Sequence, residues 1–158
     1  MAPSVREEVE MSNRSAAASD GPNIKKIFGT WIEGYDNGDL KEVMSVFDPG
    51  VIYSAPCYPD KNYAELKKWF QFDFDRSGAR PHWSFTIEFM ESSGDLAVVI
   101  SDWQGHTDFG TRLQAQVHHF RSVDVLRRGA DGWQIIRTVN QPDDCSPPAA
   151  KARKKRKK

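Results

Sequence analysis

The chain has 158 residues, with 22 basic and 22 acidic side chains, 39% hydrophobic and 28% charged content; this is the size and balance of one globular domain. No apolar run approaches the roughly 18 residues of a membrane span, and the first twenty residues lack the apolar core of a secretory signal. Two cysteines, Cys57 and Cys145, are too few for a disulfide framework or a cysteine-based zinc site.

The neutral total hides an asymmetry. Residues 151–158 read KARKKRKK and hold seven basic residues and no acid, so the other 150 carry 15 basic and 22 acidic groups, a net of −7. Each part therefore implies its own partner chemistry. The composition fits a reducing, intracellular and cytoplasmic setting, with the basic tail allowing a nuclear one in a eukaryote.

Residues 1–21 are rich in Ser, Ala, Glu and Arg without apolar periodicity and read as a disordered leader. Asp20-Gly-Pro-Asn23 reads as a helix entrance. Ile24, Ile27, Phe28, Trp31, Ile32 and Tyr35 then follow the 3–4 spacing of an amphipathic helix, which Asn37-Gly38 stops. Asp39 caps a second short helix carrying Leu40, Val43, Met44 and Phe47, and Asp48-Pro49-Gly50 breaks it. Val51 to Ala55 alternates as a strand. Asn62 caps a third helix, about 63–75, bearing Tyr63, Leu66, Trp69, Phe70 and Phe74.

The remainder reads as strand. Residues 83–89 and 96–103 flank a turn at 92–95; 113–126 follows a loop at 105–110; 133–140 follows a hairpin loop at 129–132. Residues 143–158 leave the domain through prolines and end in the basic run. Helices early and strands late give an α+β domain over about 22–142, with helices on one face of an antiparallel sheet.

Closing the last hairpin with Arg128 opposite Trp133 places Asp124 across from Arg137. Leu126 then faces Ile135, Ser122 faces Val139 and Phe120 faces Gln141. Alternation puts all of these on one face, an apolar surface with one acid–base pair set in it. Val123, Val125, Thr138, Ile136, Arg121 and Asn140 fall on the other. A carboxyl on an apolar face has its pKa raised by desolvation, which suits acid/base work, while Arg137 would oppose the shift or anchor a substrate oxygen. His118 shares the Asp124 face at roughly 20 Å along the strand, too far for a dyad, and His119 points the other way. His82 and His106 stand alone. No Cys/His cluster has metal-ligand spacing, so no metal is expected. No Gly-rich phosphate loop or nucleotide motif occurs, so no cofactor is expected.

Three phrases, WIEGYDNGDLKEVMSVFDPGVIYSAP, SSGDLAVVISDWQG and HFRSVDVLRRGADGWQIIR, resemble in order and spacing the SnoaL-like, ketosteroid-isomerase-like group of the nuclear-transport-factor-2-like superfamily. The resemblance implies a cone of curved sheet wrapped round three helices, a deep pocket in the cone, and often a homodimer. The group includes isomerases, polyketide cyclases, dehydratases and non-catalytic binding modules. Asp124 stands where ketosteroid isomerases hold the aspartic acid that stabilises the dienolate oxygen, and resembles the acid/base aspartate of the cyclases. Ala55, however, stands where the isomerases carry the proton-shuttling aspartate, and Trp31 where they carry the oxyanion tyrosine. Standard steroid isomerisation is thereby disfavoured.

The expected site is therefore Asp124 as acid/base, Arg137 as its partner, and Tyr35 or Tyr53 as hydroxyl donor. Phe28, Trp31, Trp69, Phe70, Trp103, Phe120, Ser122, Leu126 and Val139 would form a largely aromatic wall around a hydrophobic, carbonyl-bearing small molecule. The alternative is a non-catalytic ligand-binding or homodimeric scaffold module, for which the apolar outer positions Val123, Val125 and Ile136 speak. Nucleic acid or an anionic surface would be met only through the 151–158 tail, because seven cations bind such partners without reading sequence and the rest of the chain is acidic.

Overall fold

A computed structural model describes residues 5–76, 80–107 and 116–142, with side chains from residue 20 and, in the last segment, from residue 118. The expected basic tail lies outside the described residues. Helix α1 spans Val5–Asn37, α2 Leu40–Ser45 and α3 Tyr63–Asp75; strands are β1 Phe47–Ser54, β2 His82–Ser93, β3 Leu96–Thr107, β4 Gln116–Gly129 and β5 Gly132–Pro142. Among the described residues no helix is long and apolar enough to cross a membrane.

The capping signals act as read. Asp39 accepts from the Glu42 backbone N–H at 3.0 Å. Asn62 and Glu65 form a reciprocal capping box at the start of α3, which satisfies two of the amides a helix start leaves open. Gly38 ends α1 at φ +67°, a conformation that suits glycine.

The start of α1 differs from expectation. Val5 to Asp20, read as leader, is helical backbone, and the helix runs through Gly21-Pro22. Local breakers are overridden here by tertiary contact. Asp20 is buried and accepts from Arg128 at 2.8 Å and Ser92 at 3.3 Å. Arg128 in turn lies 4.8 Å from the Trp133 ring centroid and donates to the Gly94 carbonyl. The residue expected to admit the helix instead ties it to the sheet.

The strands form one sheet in the order β1-β5-β4-β3-β2. Strands β2 to β5 are the expected antiparallel meander, and β1 adds in parallel to β5, so the sheet is mixed. Helix α1 packs on β2 and β5 and α3 on β1, so the sheet curves round the helices. On β3, Ala97, Val99, Ser101 and Trp103 face inward; Ser122, Asp124 and Leu126 do so on β4.

The β4–β5 register holds from Gly129↔Gly132 to Leu126↔Ile135 as expected, then slips. Val125 pairs with Arg137, Asp124 with Thr138, Val123 with Val139 and Ser122 with Asn140. Ile136 is the extra residue. A one-residue slip sends every later side chain to the opposite face. The expected Asp124–Arg137 pair is thus corrected. Arg137 is exposed and donates to the Gly50 and Ile136 carbonyls, Val139 is 52% exposed on the outer face, and Thr138 is buried inside. The register of β1 shifts at the same level, between Phe47↔Ile135 and Ile52↔Arg137. Pro49, which has no N–H for the ladder, and Gly50 fall in that irregular stretch.

Candidate active site

The helices leave a cavity of about 600 Å³ inside the curved sheet. Helix α1 lends it Phe28, Trp31 and Tyr35; α3 lends Trp69, Phe70 and Asp73; β1 lends Phe47 and Tyr53, with Ala55 just beyond. Across the sheet stand Trp83, Trp103, Phe120 and Ile135, with Ser122, Asp124, Thr138 and Asn140 as polar groups. Nearly every ring touches the next. Trp103 stacks on Phe120 at 6.0 Å and meets Trp31 edge-on at 5.4 Å, and Trp31 stacks on Tyr35 at 5.1 Å. Such pairs add about 0.5–1.5 kcal/mol each beyond their buried area. Trp83 lies flat across its register partner Gly105, where any Cβ would come within 2.7 Å of the indole.

Asp124 is 3% exposed. Thr138 donates to its Oδ1 at 2.6 Å and Ser122 to its Oδ2 at 2.7 Å. Burial raises its pKa to about 6, and those two hydroxyls hold it from rising further. The restraint expected of Arg137 therefore comes from neutral donors, which leave the carboxyl close to neutrality, where a proton-transfer group works best.

Tyr53 accepts from Asn140 Nδ2 at 2.6 Å. Burial pushes its phenol up, the nearby Asp124 charge pushes it further, and Asn140 acts the other way. The phenol keeps its proton and, with its oxygen engaged by Asn140, can present that proton as a donor. Tyr35 is wired in the opposite sense: it gives its proton to Asp73 Oδ2. Burial raises its pKa first, then the Asp73 hydrogen bond and charge, while Trp83 and Arg80 lower it.

Of the expected wall, Phe28, Trp31, Trp69, Phe70, Trp103, Phe120 and Ser122 line the cavity. Leu126 is fully buried beside Asp124 on β4 but belongs to the core rather than the wall. Arg137 and Val139 lie outside. His118 lines the cavity next to Trp83. His119, expected on the other face, also borders the cavity, and its Nε2 lies 2.7 Å from Asp102 Oδ1 as a charge-pair contact. Alternation with buried Ser101 and Trp103 puts Asp102 on the outer face and Trp103 inward. Among the described residues no group of His, Cys, Asp and Glu could hold a metal ion.

Five polar members of the lining fall outside the expected set: Asp73, His118, His119, Thr138 and Asn140. Thr138 and Asn140 were placed on the wrong face, and Pro49-Gly50 within an extended stretch was the available sign of an irregular register. Asp73 follows Phe70 by three residues and Trp69 by four, so helical spacing alone puts it on their inward face.

The model of the SnoaL-like domain family matches residues 28–138. No curated protein matches the chain. Solved structures of the same fold include a conserved protein from Planctomyces limnophilus, at TM-score 0.69 and 16% identity over 79% of this chain and 98% of that one. A protein assigned as a dehydratase of the NTF2-like family from Streptomyces avermitilis aligns at TM-score 0.65 and 16% identity, over 79% and 96%. A ketosteroid isomerase-like protein from Erwinia carotovora atroseptica aligns at 0.63 and 17%, over 78% and 96%.

Proposed function

The chain belongs to the SnoaL-like domain family, and on that premise we propose that it is an acid/base enzyme of the isomerase, dehydratase or cyclase type, working without a cofactor on a hydrophobic carbonyl-bearing small molecule. The observation that carries this reading is a buried carboxyl with a pKa of about 6 in the wall of a mostly aromatic cavity. At pH 7 such a group is mostly ionised, so its resting role is that of a base.

The step is proton abstraction. Asp124 takes a proton from the carbon next to the substrate carbonyl, and the C–H electron pair moves into the enolate. Tyr53 donates to the oxygen on which that charge develops, where a fixed donor in a dry site is worth most. The proton on Asp124 then returns to another carbon, giving isomerisation, or leaves with a β-hydroxyl as water. Where the enolate attacks a second carbonyl instead, the C–C bond forms as that C=O π bond opens, the resulting alkoxide takes the proton back from Asp124, and the product is a ring. Ala55 and Trp31 supply no proton and speak for the non-catalytic alternative; on the enzymatic reading Asp124 has to be the single shuttle.

The test uses ketones of matching shape. 1-Tetralone and flavanone are incubated with the protein in D₂O, and exchange of the hydrogens next to the carbonyl is followed by NMR. Catalysed exchange should rise with pH through about 6 and fall roughly 10²–10⁴-fold in Asp124→Asn. Ketones that bind without accelerated exchange, or full exchange in the variant, would sink the assignment.

A scaffold role draws support from a different place. Leu96, Val98, Val123 and Val139 are 38–52% exposed on the outer face of the three central strands β3, β4 and β5, an apolar face of the kind that pairs two copies of a chain. Sedimentation should give a dimer that Val123→Glu dissociates; a monomeric wild type removes this reading.

A further inference from the structure

The two tyrosines of the cavity are wired in opposite directions, and that difference specifies a ligand. Tyr53 has its oxygen engaged by Asn140 and a proton to give. Tyr35 has spent its proton on Asp73. We infer that Asp73, held in place by Tyr35, forms a distal subsite that accepts a hydrogen bond from a neutral hydroxyl group, so that the ligand is a flat hydroxy-ketone with its carbonyl at Tyr53 and its hydroxyl at Asp73. This rests on the proposed reading of the Asp124 end.

Three observations define the subsite. Asp73 lines the cavity, and its side chain is 24% exposed, so a ligand can reach it. Its Oδ2 accepts from Tyr35 and its Oδ1 from Arg76 at 2.9 Å; a carboxylate offers about four acceptor positions, so capacity remains. The Arg76 pair is an i,i+3 surface contact with Arg76 58% exposed, a weak competitor.

Charge narrows the ligand further. Asp73 and Asp124 both line the cavity, which disfavours a carboxylate ligand. The Arg80 guanidinium, 5.9 Å from the Tyr35 ring centroid, places a cation at this end and disfavours an ammonium group. A neutral donor satisfies both. A chain of ring contacts connects the two tyrosines, with centroid steps of 6.5 Å from Tyr35 to Phe70, 6.3 Å to Phe47 and 6.4 Å to Tyr53. That surface suits a fused or linked ring system better than a short chain.

Calorimetric titration of the full chain tests this with two scaffolds: 1-tetralone with its 6-hydroxy and 6-methoxy derivatives, and flavanone with its 4′-hydroxy and 4′-methoxy derivatives. In at least one scaffold the hydroxy compound should bind about tenfold tighter than both parent and methyl ether. Asp73→Leu should erase that advantage while parent binding is kept, which also shows the cavity intact. Asp73→Asn, the closer isostere, should reduce it if the leucine variant does not fold. Asp124→Asn should leave it unchanged. No hydroxyl advantage in either scaffold, or an advantage that survives substitution of Asp73, overturns the subsite alone. Failure of every parent ketone to bind overturns the carbonyl reading and the subsite with it.

Discussion

Two carboxylates line this cavity, and they differ in almost everything but chemistry. Asp124 sits on a central strand, 3% exposed, with a hydroxyl donor on each oxygen. Asp73 sits in the last turns of a helix, 24% exposed, with a phenol and a guanidinium. The first is desolvated by its surroundings and titrates at about 6. The second has a cation at hand and water within reach. On the reading proposed above, environment, not residue type, suits one to proton transfer and the other to recognition.

The largest test of the contrast is stability against pH. The fold raises the Asp124 pKa from 3.8 to about 6, so folding favours the neutral acid. Its contribution is fully present below pH about 4 and is lost as pH rises to about 6, where the buried carboxylate carries its desolvation cost. Measured by urea unfolding, wild-type stability relative to Asp124→Asn should fall by on the order of 2 kcal/mol between pH 4 and 7. A flat difference would mean that the carboxyl is hydrated. Thr138→Val comes next. It removes a donor at 2.6 Å from the charged form, so it should cost about 2 kcal/mol at pH 8 and clearly less at pH 4, and move the Asp124 midpoint upward.

Why Thr138 has to be learned from the structure is instructive. The hairpin closure, the caps at Asp39 and Asn62, the inward run Phe28–Trp31–Tyr35 and the inward Asp124 all follow from spacing and local chemistry. Such signals act over a few residues. The side of β5 that faces the cavity depends on a slip at Ile136, at the level where β1, more than eighty residues earlier, is also irregular. Period-two alternation carries no record of an extra residue, so the error is silent until the strands are paired. The same holds at Asp20, where Arg128, 108 residues away, overrides a local helix-start signal.

The Asp73 end should respond differently to the same kind of substitution. Asp73→Asn weakens a half-open network rather than a dry one, so its cost should be about 1 kcal/mol or less, and smaller still in 0.5 M salt than in 0.05 M. A loss as large and as salt-insensitive as that at Thr138 would place both carboxylates in one class and dissolve the contrast.

The smallest expected effect separates the two possible partners of Asp124. In an unbroken register Arg137 would neutralise the carboxylate, and its removal would raise the Asp124 pKa and reshape the pH profile. With the slip at Ile136, Arg137 points away, and among the described residues it bonds the backbone carbonyls of Gly50 at 3.2 Å and its neighbour Ile136 at 2.6 Å. Arg137→Ala should then change stability by no more than about 0.5 kcal/mol. The Asp124 midpoint and the pH dependence of ketone exchange should stay where they are. A shifted midpoint in this variant, read by carboxyl NMR beside Thr138→Val, would restore the Arg137 pairing. An unmoved one, with Thr138→Val moving it, assigns the tuning of Asp124 to the hydroxyls, which is what keeps it near neutrality rather than held down as a carboxylate by a cation.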